Sequence, residues 1–321
     1  MKLFTAQRRH SVLAFGEQRL IVAIRGWLGD ASPRSPFGIG DDCAVVPSSG
    51  RPMLITTDPV IHGQHFDDTV PARAVGAKLL KRNLSDIAAM GGRPVAAVLS
   101  LALAPETDAR WLRDFYRGLA AAARTFRVRI VGGDITQGPR GFFGAFLTLH
   151  GEAAGSRAVT RSGARAGDAL YVTGALGGSL LGHHYKFTPR LTEGAWLARR
   201  TEVRAMMDLS DGLAKDLGSL TPRGLAPALC GPAVPVSRAA RRRATQTGTA
   251  PLAHALGDGE DYELLIVVAR DADRAAFERA WRTRFPSVPL SHIGGFVRAA
   301  DRAALAGAIN LRDYNGYEHL R

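Results

Sequence analysis

Cysteine is nearly absent from this chain of 321 residues: Cys43 and Cys230 are far apart and lack metal-ligand spacing. That argues against a disulfide scaffold or a cysteine zinc site, and both are expected to be buried thiols in a reducing, cytoplasmic setting. No stretch of about eighteen apolar residues occurs, so no helix is expected to span a membrane. The apolar run Ser11 to Phe15 is broken by Glu17, Gln18 and Arg19, with no small-residue cleavage site, and is not expected to be a signal peptide. The phosphate-binding G-x-x-x-x-G-K-[ST] loop, the dinucleotide G-x-G-x-x-G turn and the G-x-S-x-G elbow are also missing. Acids are scarce relative to bases, 29 against 42, for a formal charge of +13. Such an excess would suit nucleic acid if it clustered among aromatics, but it is scattered. Its densest run, Arg241-Arg242-Arg243, reads as the solvated face of an alanine-rich helix, so neither nucleic acid nor a membrane is an expected partner.

What is present can fill two cores. With 46% hydrophobic and 22% charged residues, the length favours two domains, placed at 1–153 and 154–321. Apolar spacing predicts a helix over residues 17 to 28 and another from Ala72 that closes at Gly91-Gly92. A further amphipathic helix is expected over 108 to 126. Strands are expected at Cys43 to Pro47, Met53 to Thr57, "VAAVLSLAL" (95 to 103), "VRIVGGD" ending in a glycine turn, and "FFGAFLTLHGEA". The second half adds strands at Ala169 to Thr173 and Tyr262 to Val268, giving an α+β pattern throughout.

Carboxylates recur at the ends of these apolar runs: Asp42, Asp58, Asp86, Asp134, the pair Asp208 and Asp211, then Glu260 and Asp261. One such acid is an ordinary cap or turn residue. Several converging in a partly buried cleft would repel one another unless cations neutralised them, and an all-oxygen set suits magnesium better than zinc. Gly132-Gly133 and the loop "TGALGGS" (173 to 179) offer backbone N–H groups that a phosphate could approach, and Arg161 a bidentate clamp. The pair His183-His184 reads as surface or structural. The residues alone thus reach magnesium-dependent phosphate chemistry.

"GIGDDCAVV", "TTDPVIHGQHF", "KLLKRNLSDIAAMGGRP", "VGGDITQGP", "TRSGARAGDALYVTGALGGS", "MDLSDGLAKDL" and "GDGEDYELL" follow one another along the chain. In that order they resemble the motifs of the thiamine-monophosphate kinase family, part of the superfamily of aminoimidazole ribonucleotide synthetase. The resemblance implies an N-terminal α/β domain that binds ATP and magnesium and whose sheet pairs across a homodimer into a β-barrel, followed by a C-terminal α+β domain. It implies ATP-dependent phosphorylation of thiamine monophosphate by direct in-line transfer, with several Mg2+ ions. Matched motif by motif, the metal ligands would be Asp42, Thr56, Thr57, Asp58, Asp86, Asp134, Asp208 and Asp211, with Asp58, Asp208 and Asp211 central to catalysis. Tyr116, Gly133, Asp134, Arg161 and Ser210 would contact ATP, and His65, Glu260 and Tyr317 the thiamine phosphate. Gln18, Asp258 and the final "EHLR" depart from the family pattern, and the stretch from "GGSLLGHHYKFTPRL" to "MMDLSDG" is shorter than in better-known members. The alternatives are a superfamily relative that activates an amide, thiocarboxamide or selenide, and a nucleotide-binding protein without turnover.

Overall fold

The computed structural model describes residues 2–15, 17–32 and 49–317. Asp42, the strand expected at Cys43 to Pro47, and the chain after Tyr317 lie outside the described residues. In chain order the elements are α1 (Glu17–Leu28), β1 (Met53–Ile61), α2 (Ala72–Ala89), β2 (Gly92–Leu103), α3 (Ala109–Phe126), β3 (Arg129–Gln137) and β4 (Phe143–Ala153). Then come β5 (Ala169–Thr173), α4 (His183–Lys186), α5 (Leu191–Leu197), β6 (Val203–Asp208), α6 (Leu213–Leu220) and β7 (Leu225–Leu229). The series closes with α7 (Arg238–Thr247), α8 (Pro251–Gly257), β8 (Leu264–Val268), α9 (Arg274–Arg284) and β9 (Leu290–Arg298). Two compact units result, Met1–Ile87 with Arg93–Glu152, and Ala88–Gly92 with Ala153–Arg321. No described helix is long and apolar enough to cross a membrane.

The first unit holds a four-stranded sheet in the order β1-β4-β2-β3, with β1 antiparallel to β4 and β2 parallel to β3. The strand expected at Met53 to Thr57 runs on to Ile61, with Pro59 paired to Phe146. An edge strand tolerates proline because one side of its ladder needs no donor. The glycines of "VRIVGGD" make no turn either. They lie inside β3, where a Cβ on Gly133 would sit 2.0 Å from the Leu99 carbonyl oxygen, next to a register shift at Ala97/Val98. α3 starts at Asp108, whose carboxylate accepts from the Arg110 backbone, and packs its buried face through Trp111 and Phe115 onto Phe143 and Phe66.

The second unit is a five-stranded antiparallel sheet in the order β6-β8-β5-β9-β7. Both faces are covered. Leu170, Val172, Leu265 and Val267 point into one core with α6 and α8, while Tyr171, Ile266 and Val268 point into the other with Phe277 and Trp281 of α9. This explains the unbroken apolar run "LLIVV" of β8, since a strand with no solvent face shows no alternation. The strand begins at Leu264 rather than Tyr262, because Tyr262 holds a left-handed φ of 53° that cannot continue a strand. Arg241 and Arg242 are solvent-exposed on α7. Cys230, expected to be buried, is exposed: it follows β7, an edge strand, and leads into the Gly231–Ala233 turn.

Candidate active site

In the first unit, β1 and α2 build a cluster. Strand alternation puts Thr56 and Asp58 on the α2 side and Thr57 on the opposite face. Thr56 Oγ1 donates to Asp86 Oδ2 at 2.5 Å, whereas Thr57 Oγ1 donates to the Leu147 carbonyl at 3.1 Å. The buried Arg82 guanidinium donates to the Pro59 carbonyl at 2.6 Å and reaches Asp58 Oδ1 at 3.4 Å; Asn83 Nδ2 donates to the Asp58 carbonyl at 3.3 Å. Thr56, Asp58 and Asp86 are therefore gathered, and the Thr57 hydroxyl is not. Lys78 and Lys81 extend the cationic row of α2, and burial, reinforced by the Lys78 charge, lowers the Lys81 amine to about 8.

The remaining candidates of this unit stand apart. Gly133 and Asp134 lie exposed on β3, the edge opposite β1, so Asp134 and Asp58 are separated by three strand spacings, ~14 Å. His65 is buried in the turn after β1: its Nδ1 accepts from the Ile61 N–H at 3.1 Å and its carbonyl accepts from Lys78 Nζ at 2.7 Å. Tyr116, expected at ATP, is 3% exposed between Trp27 and Phe115, and burial raises the pKa of its phenol.

The second unit gathers Asp208, Ser210, Asp211, Glu260 and Tyr317. Asp208 ends β6, and the turn into α6 carries Ser210 and Asp211. The Glu260 N–H donates to the Ser210 carbonyl at 2.7 Å and the Tyr317 N–H to the Asp211 carbonyl at 2.9 Å. Two residues that sequence reasoning passed over hold this turn. Asp216, in the first turn of α6, accepts from the N–H groups of both Ser210 and Asp211 at 3.0 Å. Lys215 Nζ lies 2.9 Å from Asp211 Oδ2. Burial and the nearby Asp208 charge push the Asp216 carboxyl up to about 7. Arg161 is exposed beside the edge strand β6, where the Thr160 carbonyl accepts from the Met206 N–H at 3.0 Å.

In the "TGALGGS" loop the N–H groups that a phosphate could have approached bond within the chain. The Gly177 N–H donates to Asp261 and the Gly178 N–H to Asp258, each at 2.8 Å, and those of Gly174 and Leu176 to Pro289 and Pro235 carbonyls. Acid side chains of the chain itself take two of these donors. Asp258, a departure from the family pattern, also takes His254 Nδ1 at 2.9 Å.

Among the described residues no three His, Cys, Asp or Glu side chains are grouped to hold a metal. What each unit offers is nonetheless hard-oxygen chemistry, Thr56, Asp58 and Asp86 in one and Asp208 and Asp211 in the other, without imidazole or thiolate. That donor chemistry fits magnesium, and the Asp208–Asp216 repulsion is what a bound cation would relieve.

Comparison with known proteins adds independent findings. Residues 40–153 match the family model "AIR synthase related protein, N-terminal domain". A thiamine-monophosphate kinase of Rhodopirellula baltica is 36% identical over 297 residues, covering 88% of this chain and 89% of the relative. The crystal structure of thiamine-monophosphate kinase from Stenotrophomonas maltophilia K279a superposes with a TM-score of 0.72 at 31% identity, covering 87% of this chain and 93% of that one. A structure of AaThiL complexed with AMPPCP and TMP gives a TM-score of 0.70 at 28% identity, covering 98% of this chain and 99% of the other.

Proposed function

This chain belongs to the thiamine-monophosphate kinase family, and we propose from that premise that it transfers the γ-phosphoryl group of ATP to thiamine monophosphate, giving thiamine diphosphate and ADP. The observation that carries this reading is the Asp208–Ser210–Asp211 turn, bonded through its backbone to Glu260 and Tyr317. It joins an acidic, phosphate-chemistry motif directly to residues read as acceptor contacts. In-line transfer needs no covalent intermediate, because the acceptor phosphate is already anionic at neutral pH. Asp58, Asp86 and Asp134 of the first unit and Asp208 and Asp211 of the second, with Asp42 and the Thr56–Thr57 stretch, would hold magnesium, which when bound neutralises phosphate charge and orients the reacting oxygens. Gly133, Arg161 and Ser210 would position ATP, while Glu260, Tyr317 and the turn containing His65 would orient the acceptor. Arg82 and Lys215 keep Asp58 and Asp211 directed, and Asp216 fixes the backbone between Ser210 and Asp211. The test is ADP release by purified protein with ATP and Mg2+. Release that depends on thiamine monophosphate supports the reading; release indifferent to it, or none from folded protein, defeats it.

The same reading extends to assembly. Ile55 is 68% exposed, Met53 58%, and Val98 and Phe146 39% each, all on the first sheet. Met53, Ile55 and Val98 also line a groove of about 300 Å³. An open apolar sheet surface of this kind is an association site, and pairing of two copies into a barrel would cover it. Light scattering at micromolar concentration should give twice the monomer mass of 34.3 kDa, and Ile55→Lys with Val98→Glu should yield monomer. An active wild-type monomer would remove the barrel.

A further inference from the structure

The stretch from His183 to Arg190 has no role in the reading above, yet it reaches every residue of the 260–263 loop. His183 Nε2 is 2.9 Å from the Asp261 carbonyl oxygen, and His184 Nδ1 is 3.6 Å from Glu260 Oε2. The Phe187 ring stacks on Tyr262 with 3.9 Å between centroids, and Arg190 forks onto Glu263 at 2.5 and 2.7 Å. Two of the gripped residues need gripping: Glu260 and Tyr262 hold φ of 54° and 53°. Non-glycine residues keep that left-handed backbone only where their surroundings enforce it. The Glu260 carboxylate has a polar neighbour at each oxygen: the Tyr262 hydroxyl donates to Oε1 at 3.2 Å, and Nδ1 of the buried His184 lies 3.6 Å from Oε2.

We propose that residues 183–190 form the clamp that sets acceptor recognition, with His184 as the positioning residue that aims the Glu260 carboxylate. The proposal rests on the reading of Glu260 as an acceptor contact. A carboxylate set between a phenol and an imidazole is placed for a ligand that is cationic and carries an amino donor, which are the properties of a thiazolium joined to an aminopyrimidine. Because these contacts of the clamp fall on the 260–263 loop and not on the side chains of Asp208, Ser210 or Asp211, its loss should alter capture of the acceptor more than the transfer step.

The test is steady-state kinetics of the full chain at saturating ATP and Mg2+. His184→Ala should raise KM for thiamine monophosphate roughly tenfold, leaving kcat and KM for ATP within about twofold. His184→Gln, which keeps a hydrogen-bonding side chain, should recover most of the loss; His184→Phe, which keeps the volume alone, should not. In a Glu260→Gln background the His184 substitution should add nothing, since its effect passes through that carboxylate. Additive effects on KM, a fall in kcat with KM unchanged, or rescue by His184→Phe would overturn the positioning role while leaving the kinase reading in place. If Glu260→Gln leaves KM for thiamine monophosphate unchanged, Glu260 is no acceptor contact and the role of His184 falls with it. Wild-type protein that neither transfers to thiamine monophosphate nor binds it by calorimetry would defeat the kinase reading itself.

Discussion

Asp261 is 1% exposed, and its carboxyl pKa is raised well above the usual range, first by burial and then by the charges of Glu263, Asp258 and Asp216, against the opposing Gly177 N–H. A carboxyl with a raised folded pKa binds a proton that the unfolded chain has released, so stability falls as pH rises from about 4 toward that folded value. Asp261→Asn keeps an acceptor for Gly177 and removes the titration. Its melting temperature should exceed that of the wild type by a margin that grows from pH 5 to pH 7; an unchanged margin would mean that Asp261 is ionised in the fold. Arg190 poses the opposite problem, because Glu263 is 3% exposed and held by Arg190 and the Thr173 hydroxyl. Arg190→Met should cost about 3–5 kcal/mol in urea unfolding by stranding a buried carboxylate, and adding Glu263→Gln should recover much of it. The sequence announced Glu260 and Asp261 as acids worth weighing, but not that one faces His184 and the other occupies a glycine loop. Those facts depend on contacts 76 and 84 residues apart in the chain.

At the scale of elements, helices were the most legible: α1, α2 and α3 lie where apolar spacing put them, and Asp108 caps α3 as its residue type suggests. Strand ends were not, because Pro59 and Gly132-Gly133 are breakers by local rule and are tolerated only through their sheet positions, an edge and a bulged pair. How α2 meets α3 was equally hidden. A Cβ on Gly76 would lie 1.9 Å from the Phe115 carbonyl oxygen, and one on Gly118 1.9 Å from that of Arg73. Two glycines, one per helix, thus let the backbones touch. Gly118→Ala gains about 1 kcal/mol of helix propensity, but a methyl pressed against backbone costs about 1–3 kcal/mol. The collision is with a carbonyl that cannot rotate away, so a net loss of about 1–2 kcal/mol in denaturant unfolding is expected. Stabilisation would mean that the helices separate easily.

For the whole molecule, the family and the α/β character could be read from the order of seven motifs, while the geometry of the site could not. Sequence places Thr56, Thr57 and Asp58 side by side, and the strand sends the middle hydroxyl to the other face; sequence groups Asp134 with Asp58, and the sheet sets them at opposite edges. Four other candidates lie together: backbone hydrogen bonds join Glu260 to Ser210 and Tyr317 to Asp211. The step that defines this enzyme's chemistry is transfer to a phosphate. Phosphorus NMR of one reaction containing ATP, Mg2+ and thiamine monophosphate follows donor and acceptor at once, for wild type and for Asp58→Asn. The prediction is that thiamine diphosphate and ADP appear in equal amounts with no inorganic phosphate, and that Asp58→Asn abolishes both. ADP accompanied by inorganic phosphate and no thiamine diphosphate, from folded wild-type protein, would contradict it.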